Sequence, residues 1–303
     1  MNIIALTSST TQIRILDLET YQYLKLLEGH SRYCIFSLSF NSNNTKLVSS
    51  SADRTVRIWD VESGRCLQIF KEHENVIITS ACFNSDSTKV IYALNYKIIK
   101  ICDIETKKCL QILKGHTGVV GSVSINFDDS LIVSCSDDKT VRIWDSITGQ
   151  CMNILLGHSE RVNSVSFSQD GSKIVSCSFD RTIRIWDPIT YECLHILLGH
   201  TKRVNSVCFN KTGSLIVSGS FDRTVRIWNS ITGECLHTLV GHTDSVTSVS
   251  FNFDDSLIVS SSMDCKIKIW DVETGQIKKT INKSLCDSNV SCCTNSVIQG
   301  SYI

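Results

Sequence analysis

The feature that most limits what this chain can become is its self-similarity. The dipeptide Gly-His stands at 29–30, 115–116, 157–158, 199–200 and 241–242, with Glu72-His73 in the one gap. Successive histidines are 43, 43, 42, 42 and 42 residues apart. Tryptophan follows at 59, 144, 186, 228 and 270, and Leu16 and Cys102 hold its place in two further copies. Seven endings therefore punctuate the chain, near Asp17, Asp60, Asp103, Asp145, Asp187, Asn229 and Asp271. A unit of about 42 residues cannot close a core alone; it buries its apolar face by stacking on neighbours.

Within one copy the pattern is strand and turn. "RVNSVSF" (161–167) alternates polar and apolar residues, "QDGS" turns, and "KIVSCS" (173–178) is a second strand. "FDRT" is a tight turn, "TIRIWD" (182–187) a third strand, "PITYE" a turn and "CLHILL" (193–198) a fourth strand. Short runs rich in Val, Ile and Ser between Asp, Gly, Asn and Thr are strand and hairpin signals. No stretch carries a competing 3.6-residue period. Without a linker-like stretch, residues 1–303 read as one domain, large enough to build a core without staples.

Four-strand units at this period, ending in Trp-Asp with Gly-His between, resemble the WD-repeat family over essentially the whole chain. The resemblance implies an all-β, seven-bladed β-propeller of four-stranded antiparallel blades around a channel. It also implies a ring closed by N- and C-terminal strands. Residues 3–8 match the second strand of a repeat, so the missing first strand is expected from the other end, with Val290 to Asn295 as the candidate. The following "VIQGSYI" resembles "IVSGSFD" at 216–222 and stands as a spare copy of, or competitor for, residues 3–8. The blade holding Leu16 lacks Gly-His and Trp and is expected to be the least stable.

Cysteine and histidine at close spacing, as in "CLHTLVGH" (235–242), are the vocabulary of zinc. Cys66, Cys109, Cys151, Cys193 and Cys235 all stand seven residues before a repeat histidine, so equivalent positions diverge from blade to blade. They read as small buried hydrophobes, with no metal and no cofactor implied. Ser, His and Asp also recur together. The resemblance implies a structural tetrad at His30, Ser49, Asp53 and Trp59; at His116, Ser134, Asp138 and Trp144; at His158, Ser176, Asp180 and Trp186; at His200, Ser218, Asp222 and Trp228; and at His242, Ser260, Asp264 and Trp270. A chain from Trp to Ser to His to Asp satisfies every member's donors and acceptors, whereas catalysis needs one exposed nucleophile. The blade ending at Cys102 has Tyr92 and Tyr96 for Ser and Asp and Glu72 for Gly, and reads as relaxed constraint, with a specialised surface as the alternative.

Thirty basic and thirty acidic residues cancel, which argues against a nucleic-acid coat. No apolar run approaches a membrane span and the N-terminus lacks signal-peptide features, so the chain is expected inside the cell, in cytoplasm or nucleus, its fifteen cysteines reduced. No phosphate loop or metalloprotease motif appears, so no enzyme is expected. The family resemblance implies a monomeric, non-catalytic scaffold binding proteins or peptides on the Gly-His face. Candidate contact residues in the loop after each histidine are Arg32, Tyr33, Arg161, Lys202 and Arg203. At the channel-mouth position they are Phe36, Asn163 and Asn205, and in the turn before the tetrad aspartate Asp137, Phe179, Phe221 and Met263. Aromatic residues beside arginine are the composition of hot spots, and the cations suggest an acidic or phosphorylated ligand. "YCIF" (33–36) and "SDDKT" (136–140) resemble strings in the WD-repeat adaptor of histone-methyltransferase complexes, which grips an arginine between two phenylalanines; a ubiquitin-ligase substrate receptor is a further alternative.

Overall fold

The computed structural model describes residues 2–7, 11–31, 34–282 and 297–299. Each repeat forms a meander, and seven four-stranded antiparallel sheets make up the fold. Blades are numbered here by the order of their third strands. In blade 5, Val162–Phe167, Ile174–Ser178, Ile183–Trp186 and Cys193–Leu197 run from the channel outward. The first strands of successive blades adjoin one another around a complete circuit, which makes the molecule a seven-bladed propeller.

The core lies between blades, not within them. Val133, Cys135, Val141 and Ile143 of blade 4 pack on Val165, Phe167, Ile174 and Trp186 of blade 5, and the same arrangement recurs around the ring. A second strand is therefore covered on both faces. This is why "IVSCS" (174–178) is buried at every position and carries small residues where a half-buried strand would alternate. The fourth strands face outward and do alternate, with Leu197 buried and Leu194 and Ile196 exposed.

Closure differs in detail from the sequence expectation. Ile3–Thr7, Ile13–Asp17 and Tyr23–Leu27 are the second, third and fourth strands of blade 1. The first is Val297–Gln299, antiparallel to Ile3–Thr7 with Ile4 opposite Gln299 and Leu6 opposite Val297. The closing strand is thus drawn from the stretch taken as a spare copy, and it pairs with residues 3–8 instead of competing with them. Val290 to Asn295 lie outside the described residues. The likeness of "VIQGSYI" to a second strand misled because a three-residue pairing asks only for extended backbone, which any apolar run supplies.

The two faces of the ring differ in charge. On the face carrying the Gly-His loops, the left-handed position of the turn between second and third strands is Arg54, Lys97, Lys139, Arg181 or Arg223, at φ from 67 to 73°, or Cys265 at 60°, and all but Lys97 follow an aspartate. On the opposite face the turns carry Asp86, Asp128, Asp170 and Asp254, and also Glu19, Glu62, Glu105 and Glu273. Zero net charge conceals this polarity. Among the described residues no helix is long and apolar enough to cross a membrane, a test that does not bear on β-barrels.

Ending the chain at residue 296 leaves Ile3–Thr7 as an open edge. That variant is expected to melt a few degrees below the full chain and to aggregate more readily. An unchanged melting temperature in calorimetry would show that the closing pair contributes nothing.

Candidate functional site

The loops of the Gly-His face are held from below by buried hydrogen-bond chains. In blade 4, Trp144 Nε1 donates to Ser134 Oγ at 2.8 Å, His116 Nε2 meets the same oxygen at 2.8 Å, and His116 Nδ1 meets Asp138 Oδ2 at 2.8 Å. Because the ionised carboxylate can only accept, Nδ1–H donates to it, and Nε2 then accepts the hydrogen bond that the Ser134 hydroxyl donates. His30, Ser49, Asp53 and Trp59 repeat the geometry, as do the sets at His158, His200 and His242. Each aspartate also accepts the backbone N–H after the histidine, from Ser31, Thr117, Ser159, Thr201 or Thr243. Burial alone would raise these carboxyls. The histidine and backbone donors outweigh it and hold Asp53, Asp138, Asp180, Asp222 and Asp264 below the ordinary range. The histidine side chains are 0–1% exposed, and their ring nitrogens are committed to the serine and aspartate of their own set.

The same register explains the glycine. Arg57 and Arg142 lie over the tetrad tryptophans, 5.9 and 6.0 Å from the ring centroids. A Cβ on Gly29 or Gly115 would stand 2.7 Å from the guanidinium nitrogen of Arg57 or Arg142. Blade 3 solves the problem differently. Its arginine position is Lys100, whose Nζ meets both carboxylate oxygens of Glu72 at 2.7 and 2.8 Å. Tyr92 donates to Glu72 Oε1 at 2.8 Å, and Cys102 Sγ lies 3.5 Å from the Tyr92 hydroxyl. Burial, then Cys102 and Glu72, push the Tyr92 hydroxyl above its ordinary range, so it remains a donor. Blade 3 is therefore a coherent substitution, not the relaxed copy its sequence suggests. His73 and Tyr96 are exposed, outside this network.

Above this frame lies a stack of cations and rings on blades 5 and 6. The backbone N–H of Phe179 donates to the carbonyl of Arg161 at 3.0 Å, and that of Phe221 to Arg203 at 2.9 Å. These bonds set each loop cation beside the aromatic of its own blade. The Arg161 guanidinium carbon is 3.6 Å from the Phe179 centroid. Arg203 reaches back between blades, 4.7 Å from Phe179 and 4.2 Å from Phe221, and Lys202 Nζ is 5.3 Å from Phe221. Arg203 Nε is buried without a partner, and burial, then Arg161, lower the guanidinium's proton affinity. Among the described residues no carboxylate pairs with Arg161, Lys202 or Arg203.

The other candidates are placed apart. Phe36, Asn163 and Asn205, like Thr79, Gly121 and Thr247, are each the extra residue of a β-bulge at the start of a first strand. Asn163 Nδ2 donates to the Asn205 carbonyl at 2.5 Å, and Asn205 Nδ2 to the Val246 carbonyl at 2.7 Å, so these amides stitch neighbouring blades together. Phe36 belongs to blade 2, three blades from the stack. The arginine found between two phenylalanines is the chain's own Arg203. Asp137 is exposed and Met263 half-buried, each bonded through its backbone to the preceding loop, at Val119 and Ser245. Arg32 and Tyr33 lie outside the described residues. Sequence reading found the members of the stack but not their order. The signal was the constant 18-residue offset from loop to turn, 161 to 179 and 203 to 221, which the backbone bond fixes.

The repeat cysteines correct a further expectation. Cys109, Cys151 and Cys235 are exposed and Cys66 and Cys193 half-buried, because they open fourth strands at the rim. Their thiols bond carbonyls two residues on, as Cys109 does to Gln111 at 3.3 Å, and Arg226 Nη1 lies 3.7 Å from Cys235 Sγ. Cys34 is disulfide-bonded, against the all-thiol expectation. At the opposite end of the channel is a cavity of about 340 Å³, lined by Phe40, Phe83, Phe167, Phe209 and Phe251 and rimmed by Phe127, Phe253 and Lys211.

The family model described as WD domain, G-beta repeat matches residues 21–60, 107–145, 149–187, 191–229 and 233–271, which is more than half of the chain. The unmatched stretch between the first two matches holds Glu72, Tyr92, Lys100 and Cys102. A comparison with curated proteins finds none that matches the chain.

Ser134→Ala orphans the Trp144 N–H and a His116 nitrogen and is expected to cost about 2–4 kcal/mol in chemical denaturation. Because the tetrad aspartates are depressed, their stabilisation is complete above the ordinary carboxylate value of 3.8 and is lost as pH falls below it. Asp138→Asn is therefore expected to be less stable at neutral pH, with a shallower loss between about pH 4 and 2; an unchanged acid slope would contradict this. Glu72→Gly leaves Lys100 and Tyr92 without their acceptor and is expected to cost about 3 kcal/mol. If the glycine instead stabilises the blade, the substituted network contributes nothing.

Proposed function

The chain belongs to the WD-repeat family, and from that premise we propose a non-catalytic scaffold that binds an anionic protein segment at the stack of Arg161, Phe179, Arg203, Phe221 and Lys202. The WD-repeat propeller is in general a protein-interaction fold. The observation that carries the finer reading is three cations gathered on two rings with, among the described residues, no carboxylate paired to them. Like charges this close repel, and a carboxylate or phosphate relieves the repulsion while taking paired N–H donors from each guanidinium.

The phenylalanines have a different role here from that of open hot-spot anchors. Their faces are covered by the chain's own cations, so they hold the guanidiniums in place and leave the N–H edges for the ligand. Recognition is then by charge and hydrogen bonding on a rigid aromatic support. The non-catalytic reading is supported by the fate of the Ser, His and Asp residues, whose polar atoms are committed to one another. Eleven free cysteines, against Cys34 alone bonded among the described residues, support a reducing compartment inside the cell.

The test is affinity capture with mass spectrometry, wild type beside an Arg161→Glu, Arg203→Glu variant whose fold is checked by thermal melt. The bound set is expected to lose its acidic or phosphorylated members. Retention of the whole set by the folded variant would place partner binding elsewhere on the ring.

A further inference from the structure

Three consecutive blades break a rule that the other four keep at the rim. The turn between third and fourth strands reads Leu18-Glu19, Val61-Glu62, Ile104-Glu105 and Val272-Glu273 in blades 1, 2, 3 and 7. In blades 4, 5 and 6 it reads Ser146-Ile147, Pro188-Ile189 and Ser230-Ile231. The turn itself is the same, since the backbone N–H of Glu19 donates to Asp17 as those of Ile147, Ile189 and Ile231 do to Asp145, Asp187 and Asn229. What changes is the residue that goes inward. Leu18, Val61 and Ile104 are buried and leave the glutamate outside. Ser146 and Ser230 instead bond inward, to the carbonyls of Asp129 and Gly213, and leave the isoleucine outside. The fold therefore does not require an apolar residue at this position.

Ile147, Ile189, Ile231, Leu156, Leu198 and Val240 are 67 to 82% exposed, and no other large apolar side chain among the described residues exceeds 54%. All six belong to blades 4, 5 and 6; the last three stand at the ends of the fourth strands, where blades 1 to 3 have Glu28, Lys71 and Lys114. Each turn also rests on the blade before it. Gln111 Nε2 donates to the Ile147 carbonyl, Tyr191 packs on the cluster that holds Leu155, and a Cβ on Gly233 would stand 3.3 Å from Leu197 Cδ2. The strands beneath expose Met152 and Ile154 in blade 4 and Leu194 and Ile196 in blade 5, so the apolar surface passes from one blade to the next. Apolar residues scattered singly need no explanation, but a run of this kind marks a site of association.

The shape of the ring limits what can cover it. Blades 4 and 6 stand two of seven steps apart, more than a right angle around the ring. A bilayer is flat, and a second copy meeting the rim with its own rim is convex, so neither covers all three blades at once. A chain segment can bend with the rim. The flanking charges define its ends: the isoleucine row is bounded by Glu105 on blade 3 and Glu273 on blade 7, both exposed and, among the described residues, paired with no cation.

We propose that the rim of blades 4, 5 and 6 binds a partner protein through a segment with apolar residues at its centre and lysine or arginine at both ends. The apolar residues cover Ile147, Ile189 and Ile231, and the basic ends meet Glu105 and Glu273. This surface is separate from the stack of Arg161 and Arg203 and takes a ligand of the opposite charge.

The experiment uses the full chain and fluorescein-labelled thirty-residue peptides in an anisotropy titration. Each has a serine- and glycine-rich centre carrying six leucines, and its ends are three lysines, three glutamates or three serines; a further lysine-ended peptide has serine in place of every leucine. The lysine-ended leucine peptide is expected to bind at least ten-fold more tightly than any other. Ile147→Gln, Ile189→Gln and Ile231→Gln together are expected to remove that binding with no change in melting temperature, because they keep the charge and give each turn a side chain of the shape that four blades carry there. Glu105→Gln with Glu273→Gln is expected to weaken the peptide about five-fold and to erase the advantage of lysine ends over serine ends. Glu62→Gln, in the same turn of blade 2, is expected to change nothing, and so is Arg161→Gln with Arg203→Gln, so that this inference and the anionic reading fail separately. Undiminished binding by the folded triple variant, equal binding of the leucine-free peptide, or no binding of any peptide would overturn the inference. Self-association in sedimentation, or binding to phosphatidylcholine vesicles, that the triple variant abolishes would overturn it too, by giving the surface to a second copy or a bilayer.

Discussion

An aspartate almost wholly withdrawn from water, yet kept ionised, is the interaction on which the Gly-His face depends. Asp180 accepts from His158, from the backbone after it and from Thr182, and so joins the incoming loop to the turn between second and third strands. Phe179 precedes that aspartate and Arg161 follows that histidine by three residues, so the chain that stabilises the blade also sets the ring beside the cation. Removing a tetrad member therefore acts on the surface as well as on stability. The cost of desolvating the carboxylate is met by several donors at once, which is why the chain of bonds is buried and why it is repeated in place of being varied.

Two blades depart from this scheme, and each departs consistently. Blade 3 exchanges glycine and arginine for Glu72 and Lys100, so that the space a Cβ would have contested is filled by an ion pair. Blade 1 puts Leu6 and Leu16 at the serine and tryptophan positions, both buried, so that no donor or acceptor is left to satisfy. In both cases several positions change together. A lone substitution from one scheme into another would strand a polar group, which is the physical reason such sets are found whole.

Much of this was legible in the sequence. The period, the Trp-Asp endings and the strand-turn grammar specify seven blades, since each is a local pattern repeated in register. The tetrads were legible for the same reason. What escaped was whatever depends on contact between blades. Arg203 lies nearer to the following turn along the chain than to Phe179, and nothing in its own repeat announces that it reaches back. Asn163 and Asn205 looked like free channel-mouth donors, yet both are bonded to the next blade. The repeat cysteines read as apolar and buried because the sequence shows their register but not their place on the outermost strand, open to water. The closing strand is Val297–Gln299, one segment beyond the cysteine-rich stretch to which the sequence points.

The unequal charges of the two faces bear on how a partner arrives. A chain with thirty charges of each sign feels no net pull toward an anionic surface, but it feels a torque. Arg54, Lys139, Arg181 and Arg223 each sit beside an ionised tetrad aspartate, so the polarity of the ring comes from the acidic turns at the far end. In cellular salt such a field fades over about 8 Å, so it acts only in the last step before contact, where it turns the correct end toward the ligand. Productive encounters are thereby enriched without any change in the contacts finally made, and the association rate is the quantity through which salt acts most strongly.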